Sequence, residues 1–414
     1  MALALECVHF PLVSVLDPKA VLAEQARRGM PSGAVAAITI SSVCLAGFLG
    51  LLLLAGSGSF LVAMLLSMVT LVPMMAGVMA IDRLEPEPRY LLVTVFLWGA
   101  GASVVLSVIF EVIGGVTLVV AGAASDTWLA VVVAPVVEES MKGLALFGLL
   151  WFARGQVNGI TDGVVYAATT ALGFAAAENI EYYIAAALEG GAHELGITFL
   201  LRGVMSPFCH PVFTSMTGIA IGLAVRQRGA ARILLPIGGL LAAMVLHGTW
   251  NGLAGLDLGG VVAAMAIVIC VLVGIFVAIH ADWKKTIAQI ETCMAAYLPS
   301  GLVTGRDLAM LSTMGLRKQA RDWARDTHGK TGFDAMRDYQ VACTRLTMLH
   351  DRAAVGTIDP YRFAQQRWAL LTLMRFAREA FLGPAHATRP MFYAPAAPVL
   401  TPTPPPIPTY APPA

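Results

Sequence analysis

Charge is scarce in this sequence. Asp, Glu, Lys and Arg together make up 13% of its 414 residues, about half the share found in soluble globular domains. So little charge excludes a water-facing surface over most of the chain. The net charge of +1 gives no basic field for a polyanion, and we expect no nucleic-acid partner. The six cysteines (Cys7, Cys44, Cys209, Cys270, Cys293 and Cys343) contain no C-x-x-C pair and form no disulfide-type framework. Most sit in or beside apolar segments and read as small buried hydrophobes. The start M-A-L-A-L-E-C lacks a basic leader region and carries Glu6, so no cleavable signal peptide is expected. What is abundant is apolar: 57% of residues are hydrophobic and the mean hydropathy is +0.75. The expected fold class is all-α, a polytopic membrane protein.

Apolar spans fall at Gly33–Ala55, Phe60–Ile81, Tyr90–Ile113, Trp128–Phe152, Gly163–Leu188, Ile197–Val225, Ile233–Leu253 and Gly260–His280. That makes eight, each long enough to cross a bilayer as a helix. Val116–Ala124 reads as a re-entrant piece or an outer loop. Arg83 and Arg89, Arg154, Arg226, Arg228 and Arg232, and Lys284 and Lys285 follow every second span, whereas the intervening loops hold no Lys or Arg. The positive-inside rule then puts both termini in the cytoplasm, which requires an even number of spans. We expect a cell-membrane, multi-pass protein in four parts: a cytoplasmic lead-in (1–32), a transmembrane domain (33–280), a cytoplasmic helical domain (281–383) and a proline-rich tail (384–414).

The cytoplasmic part carries apolar residues at helical spacing over Thr286–Leu298, Gly305–Asp326, Phe333–Ala354 and Tyr361–Phe381. Breakers such as His328-Gly329-Lys330 separate them. From Ala281 to Ala385 there are 15 Lys and Arg against 10 Asp and Glu. This balance suits an anionic lipid surface, or simply a solvated helical face. The tail, ending T-P-T-P-P-P-I-P-T-Y-A-P-P-A, cannot build a core and reads as disordered or polyproline-like.

The informative residues are the polar ones inside the spans. Span four carries Glu138, Glu139 and Lys142 in an otherwise apolar run. An intramembrane charge costs about 2.5–3.5 kcal/mol on insertion scales and marks a functional interior. Lys142 lies one turn from both carboxylates and offsets one of them. The other is left to act as a base, unless the group is only an ion pair holding helices together. Span five carries Asp162 at the cytoplasmic mouth and Glu178 and Asn179 deeper in. Glu181, a turn further out, is explained by solvent. Span six carries Arg202, then His210 between Pro207 and Pro211, so this helix should be locally broken and line a cavity. Span seven carries His247 and Asn251 on one face. Counted from the span ends, Glu138, Glu139, Glu178, His210 and His247 fall in one slab from the midplane to the outer third. Carboxylates and imidazoles meeting in a wet cavity fit a water activated by a metal, or by a carboxylate with a His partner.

The motifs E-E-x-x-K-G (Glu138–Gly143), D-G-x-x-Y (Asp162–Tyr166), G-F-A-x-x-E-N (Gly173–Asn179), H-x-x-x-T-x-x-x-G (His210–Gly218) and H-x-x-W-N (His247–Asn251) resemble the PrsW family of bacterial intramembrane proteases. That family is distantly similar to CAAX-processing proteases and to the Aph-1 subunit of gamma-secretase. The resemblance covers residues 128–253. It implies cleavage of a membrane-anchored protein on the outer side of the bilayer, with anti-sigma factors as the best-known substrate class. It implies Glu138 and Glu139 as water-activating residues and Glu178, His210 and His247 as ligands of a divalent metal, zinc. In the metal-free glutamate mechanism of the CAAX relatives the same three would bind water and steady the oxyanion. Asn251 would be an oxyanion or supporting donor, Asn179 a support, and Lys142 and Arg202 would tune the charge. The other readings are a non-catalytic scaffold of the Aph-1 type and a transporter.

Overall fold

The computed structural model describes residues 32–123, 125–356 and 358–382. The expected lead-in, except Ser32, and the proline-rich tail lie outside the described residues. The chain divides into two compact units, one over residues 30–286 and one from residue 287 onward. All regular structure among the described residues is helical.

The first unit contains α1 (Ser32–Ala55), α2 (Phe60–Ile81), α3 (Arg89–Val120), α4 (Ala134–Phe152), α5 (Ile160–Thr198), α6 (Cys209–Ala224), α7 (Ala231–Ala254) and most of α8 (Leu258–Ala295), whose last turns run past residue 286. Among the described residues, six helical stretches are long and apolar enough to cross a membrane. The difference from the eight expected spans has two physical causes. Glu138, Glu139 and Lys142 lower the apolarity of α4. The stretch Ile160–Ala224 counts once although it is 65 residues long, about three bilayer thicknesses. It turns back at Gly190-Gly191, where Gly191 takes a left-handed φ of 64°. Residues 116–120, read as loop or re-entrant, simply continue α3.

The unit is built around α5. In its most apolar 18-residue stretch 94% of residues are buried, against 11–28% for the other five candidates. Those five keep large apolar side chains exposed, such as Leu54, Val120 and Val245, as lipid-facing helices do. Small residues let neighbours close on α5. A Cβ on Gly163 would lie 2.0 Å from the Gly218 carbonyl oxygen, and one on Gly99 2.0 Å from that of Thr170. Both crossings are therefore backbone against backbone. Gly163→Val has no flexible side chain to displace, so it is expected to part α5 from α6. The thermal midpoint of the purified protein should fall by several degrees or monodisperse elution should be lost. An unchanged midpoint would show that the crossing does not need glycine.

The second unit holds α9 (Gly305–Leu311), α10 (Met314–Val355) and α11 (Pro360–Leu382). Thr304 and Asp307 form a reciprocal capping box at the start of α9, and Asp307 also pairs with Arg378 of α11. Helix α10 breaks at His328-Gly329, with Gly329 at φ 62°, at the breaker visible in the sequence. Leu311, Tyr339, Cys343, Leu346 and Met374 are fully enclosed between these helices.

Candidate functional site

The site grows from one turn of α4. The Lys142 Nζ lies 2.9 Å from Glu138 Oε2, 2.9 Å from Glu139 Oε1 and 3.0 Å from His210 Nδ1. An ammonium has three N–H donors, and all three are engaged. Its other neighbour is the Phe174 ring, 3.9 Å away at the centroid, a cation–π contact. Lys142 and Glu139 are fully buried and Glu138 nearly so. Burial of such charges is tolerable only with this mutual pairing.

These contacts fix the imidazole tautomers. An ammonium can only donate, so Nδ1 of His210 accepts and Nε2 carries the proton. That Nε2 lies 3.0 Å from Glu178 Oε2. His247 Nδ1 lies 3.2 Å from Glu139 Oε1; the carboxylate accepts, so Nδ1 carries a proton, and the neutral ring then has its lone pair on Nε2. Both Glu139 oxygens are engaged, since its Oε2 also accepts from Thr214 Oγ1 at 2.8 Å. Glu178 also pairs with Arg202. The Arg202 Nε donates to Asn179 Oδ1 at 2.9 Å, and its guanidinium stacks 3.8 Å from the Tyr182 ring centroid.

A local break in the chain presents His210. A wide-turned π-helical stretch, Phe199–Met205, ends at Ser206, and α6 begins only at Cys209, so the helix is interrupted at Pro207, while Pro211 lies inside the first turn of α6. A cavity of about 400 Å³ opens beside the ion group, lined among others by Glu138, Glu178, Arg202, His210, His247 and Asn251. Asn251 spends one Nδ2 hydrogen on the Ala130 carbonyl oxygen, at 2.8 Å.

Glu138, Glu139, His210 and His247 each bring a ligand atom within 4.8 Å of the others, a group that could hold a metal ion. Two carboxylates and two imidazoles suit zinc in kind and number. Glu178 is not in that group; it faces Arg202 and the far nitrogen of His210. The ammonium of Lys142 stands among the same donors, within 3.0 Å of three of them. A metal in that place would require Lys142 to withdraw.

The D-G-x-x-Y motif lies elsewhere. Tyr166 donates to Glu87 Oε2 at 2.5 Å, Asp162 accepts from the Asn158 backbone N–H at 2.7 Å, and Asp82 accepts from the Glu87 N–H at 3.0 Å. These bonds tie the loop between α2 and α3 to α5. Burial pushes the Asp82 carboxyl up to about 6 and Glu87, with Asp162 nearby, well above its usual range.

Sequence reasoning passed over Glu111 and Ser107, both on α3 and both lining the cavity. Glu111 carries the same signal as Glu138, a carboxylate in an apolar span, but no motif surrounds it. The Trp98 Nε1–H, which donates to the Met141 carbonyl at 2.9 Å, steadies the backbone beside Lys142 and left no trace in spacing.

The fold and site define a polytopic helical membrane protein with a Glu–His–Lys centre enclosed by its helices. Residues 87–279, somewhat less than half of the chain, match the model of the family described as PrsW family intramembrane metalloprotease. The chain is similar to Protease PrsW of Shouchella clausii (31% identity over 114 residues, 28% of this chain and 48% of the relative). It is similar to Protease PrsW of Geobacillus kaustophilus (27% over 179 residues, 42% of this chain and 70% of the relative). Protease PrsW of Clostridioides difficile aligns at 25% identity over 240 residues, 55% of this chain and 91% of the relative. The match to the Shouchella protein thus spans about half of that relative's length. No solved structure matches the chain significantly.

Proposed function

We propose that the chain is an intramembrane endopeptidase that hydrolyses a peptide bond in a membrane-anchored protein, such as a single-pass anti-sigma-factor-like protein. The observation that carries this reading is the contrast between the paired carboxylates. Glu139 is closed off by Lys142, His247 and Thr214, whereas Glu138 faces the cavity. Glu138 is the base. It takes a proton from a cavity water, whose second contact is the free Nε2 lone pair of His247. The oxygen adds to the scissile carbonyl carbon, and the second Nδ2 hydrogen of Asn251 meets the oxyanion. The C–N bond then breaks and the proton held by Glu138 passes to the leaving amine. His210 and Lys142 keep the carboxylates aligned and balance their charge. Glu178 with Arg202 and Asn179 orients His210.

A divalent metal, zinc foremost, would be held by Glu138, Glu139, His210 and His247 and would supply Lewis-acid activation of the water. The ammonium at that position favours the glutamate route. We place the Lys- and Arg-bearing loops and both termini in the cytoplasm of a cell-membrane protein, which opens the cavity toward the outer half of the bilayer. Purified protein is expected to hold far less than one zinc per chain and to keep cutting a co-reconstituted single-span substrate, on the outer side of its span, after chelation. A tightly bound metal whose removal abolishes cleavage would move water activation to the metal. No cut in any membrane-anchored substrate would remove the reading.

A further inference from the structure

The cavity is lined by more carboxyl groups than its own cations can pair with. Its lining includes Glu111, Glu138, Glu178 and Glu181 against Arg202. Lys142 is committed to Glu138, Glu139 and His210, and Arg202 to Glu178, Asn179 and Tyr182. Glu111 and Glu181 make no hydrogen bond or ion pair among the described residues. Both sit on helices in membrane-spanning stretches, where an unanswered carboxylate is costly. A second, independent orphan lies beside them. Ser107 is one turn before Glu111 on α3 and lines the same cavity; it is 2% exposed, and its Oγ has no hydrogen-bond partner among the described residues.

Two free carboxylates and an enclosed, unused hydroxyl around one cavity beside Glu138 make a receptor for a cation with several N–H donors. We infer that Ser107, Glu111 and Glu181 form a subsite for a Lys or Arg side chain of the substrate, next to the bond that is cut. This rests on the endopeptidase reading and adds a substrate class to it. The preferred substrate is a single-span protein with a basic residue just beyond the outer end of its apolar segment. Such a residue is excluded from the bilayer centre and reaches the outer interface, where the subsite neutralises it. The partial exposure of Glu111 and Glu181 leaves them open to an arriving chain. The carboxylates add specificity by selecting against acidic residues at the same position.

Two arms test this on the full-length protein. In the first, Glu138→Gln protein in zwitterionic vesicles binds a synthetic single-span peptide carrying Lys at that position, or its Gln counterpart. The Lys peptide is expected to bind about tenfold more tightly, and the difference should shrink below about twofold when Glu111 and Glu181 are both Gln. Glu111→Gln alone and Ser107→Ala serve where the double variant elutes as aggregate, each with a smaller loss of preference. In the second arm, cleavage-competent protein cuts the same pair. The Lys-to-Gln ratio of kcat/KM should fall with Glu111→Gln, and Glu111→Lys should turn the preference toward a Glu-bearing peptide. Equal binding of the two peptides, or a preference that survives the double replacement, overturns the subsite. Tighter Lys binding with neither peptide cut would keep the subsite and sink the endopeptidase reading. Equal cutting of both would keep that reading and sink the subsite.

Discussion

Glu138→Gln is expected to lower substrate cleavage by about a hundred- to ten-thousandfold, the usual contribution of a general base, with the fold intact. Gln keeps the shape and one acceptor oxygen for Lys142, but it takes no proton from water. The replacement leaves the Lys142–Glu139 pair electrically balanced, so the buried centre loses little stability. Glu139→Gln should behave differently. Both Glu139 oxygens accept from three donors, Lys142, His247 and Thr214, and an amide nitrogen turned toward Lys142 or His247 brings donor against donor, while one turned toward Thr214 forces its hydroxyl to reverse and accept. Its loss should show as a lowered thermal midpoint as well as lowered cleavage. Cleavage of a co-expressed substrate and the melting midpoint of the purified variants separate the two cases. Normal cleavage by folded Glu138→Gln would end its assignment as the base.

Lys142→Met should have the largest effect on stability. It strips the one cation from between two adjacent buried carboxylates, and breaking a buried pair from one side costs about 3–5 kcal/mol. Lys142→Arg should not restore the protein. The space around Nζ is fully enclosed and bounded by Phe174 at 3.9 Å, and a planar guanidinium does not fit where a compact ammonium does. The same variant tests what the ammonium excludes. With Lys142 gone, Glu138, Glu139, His210 and His247 are free to take zinc, so added zinc should raise the midpoint of Lys142→Met and leave wild type unmoved. A Lys142→Met midpoint equal to wild type would show that the ammonium holds nothing together.

What could be read from the sequence follows single-helix geometry. Lys142 had to meet Glu138 and Glu139 because i,i+3 and i,i+4 neighbours share a face. The broken segment before His210 follows from proline chemistry. The depth argument set Glu178, His210 and His247 at one level, and the structure does bring His210 and Glu178 to 3.0 Å. Depth, however, says nothing of azimuth. It could not show that Glu139 faces His247, that Glu178 turns to Arg202, or that the third bond of Lys142 goes to a residue 68 positions away. Glu111 stayed hidden because a lone carboxylate has no spacing to read. Helix α8 runs on to Ala295, past the expected end of its span at His280, because apolar character marks where a membrane ends and not where a helix does.

The enclosure of α5 also bears on how the protein is made. Helix α5 belongs to the least apolar of the six candidate stretches and gains little by entering lipid alone. Before it leaves the ribosome, α1, α2 and α3 have been synthesised, and each is apolar enough to insert unaided. Helix α3 then offers Gly99 for close approach to α5. The order of the helices along the chain is thus an order of assembly, in which greasy segments are laid down first as a berth for the polar ones. A permuted chain starting at α4 would bring α5 to the insertion machinery with its α3 groove not yet made.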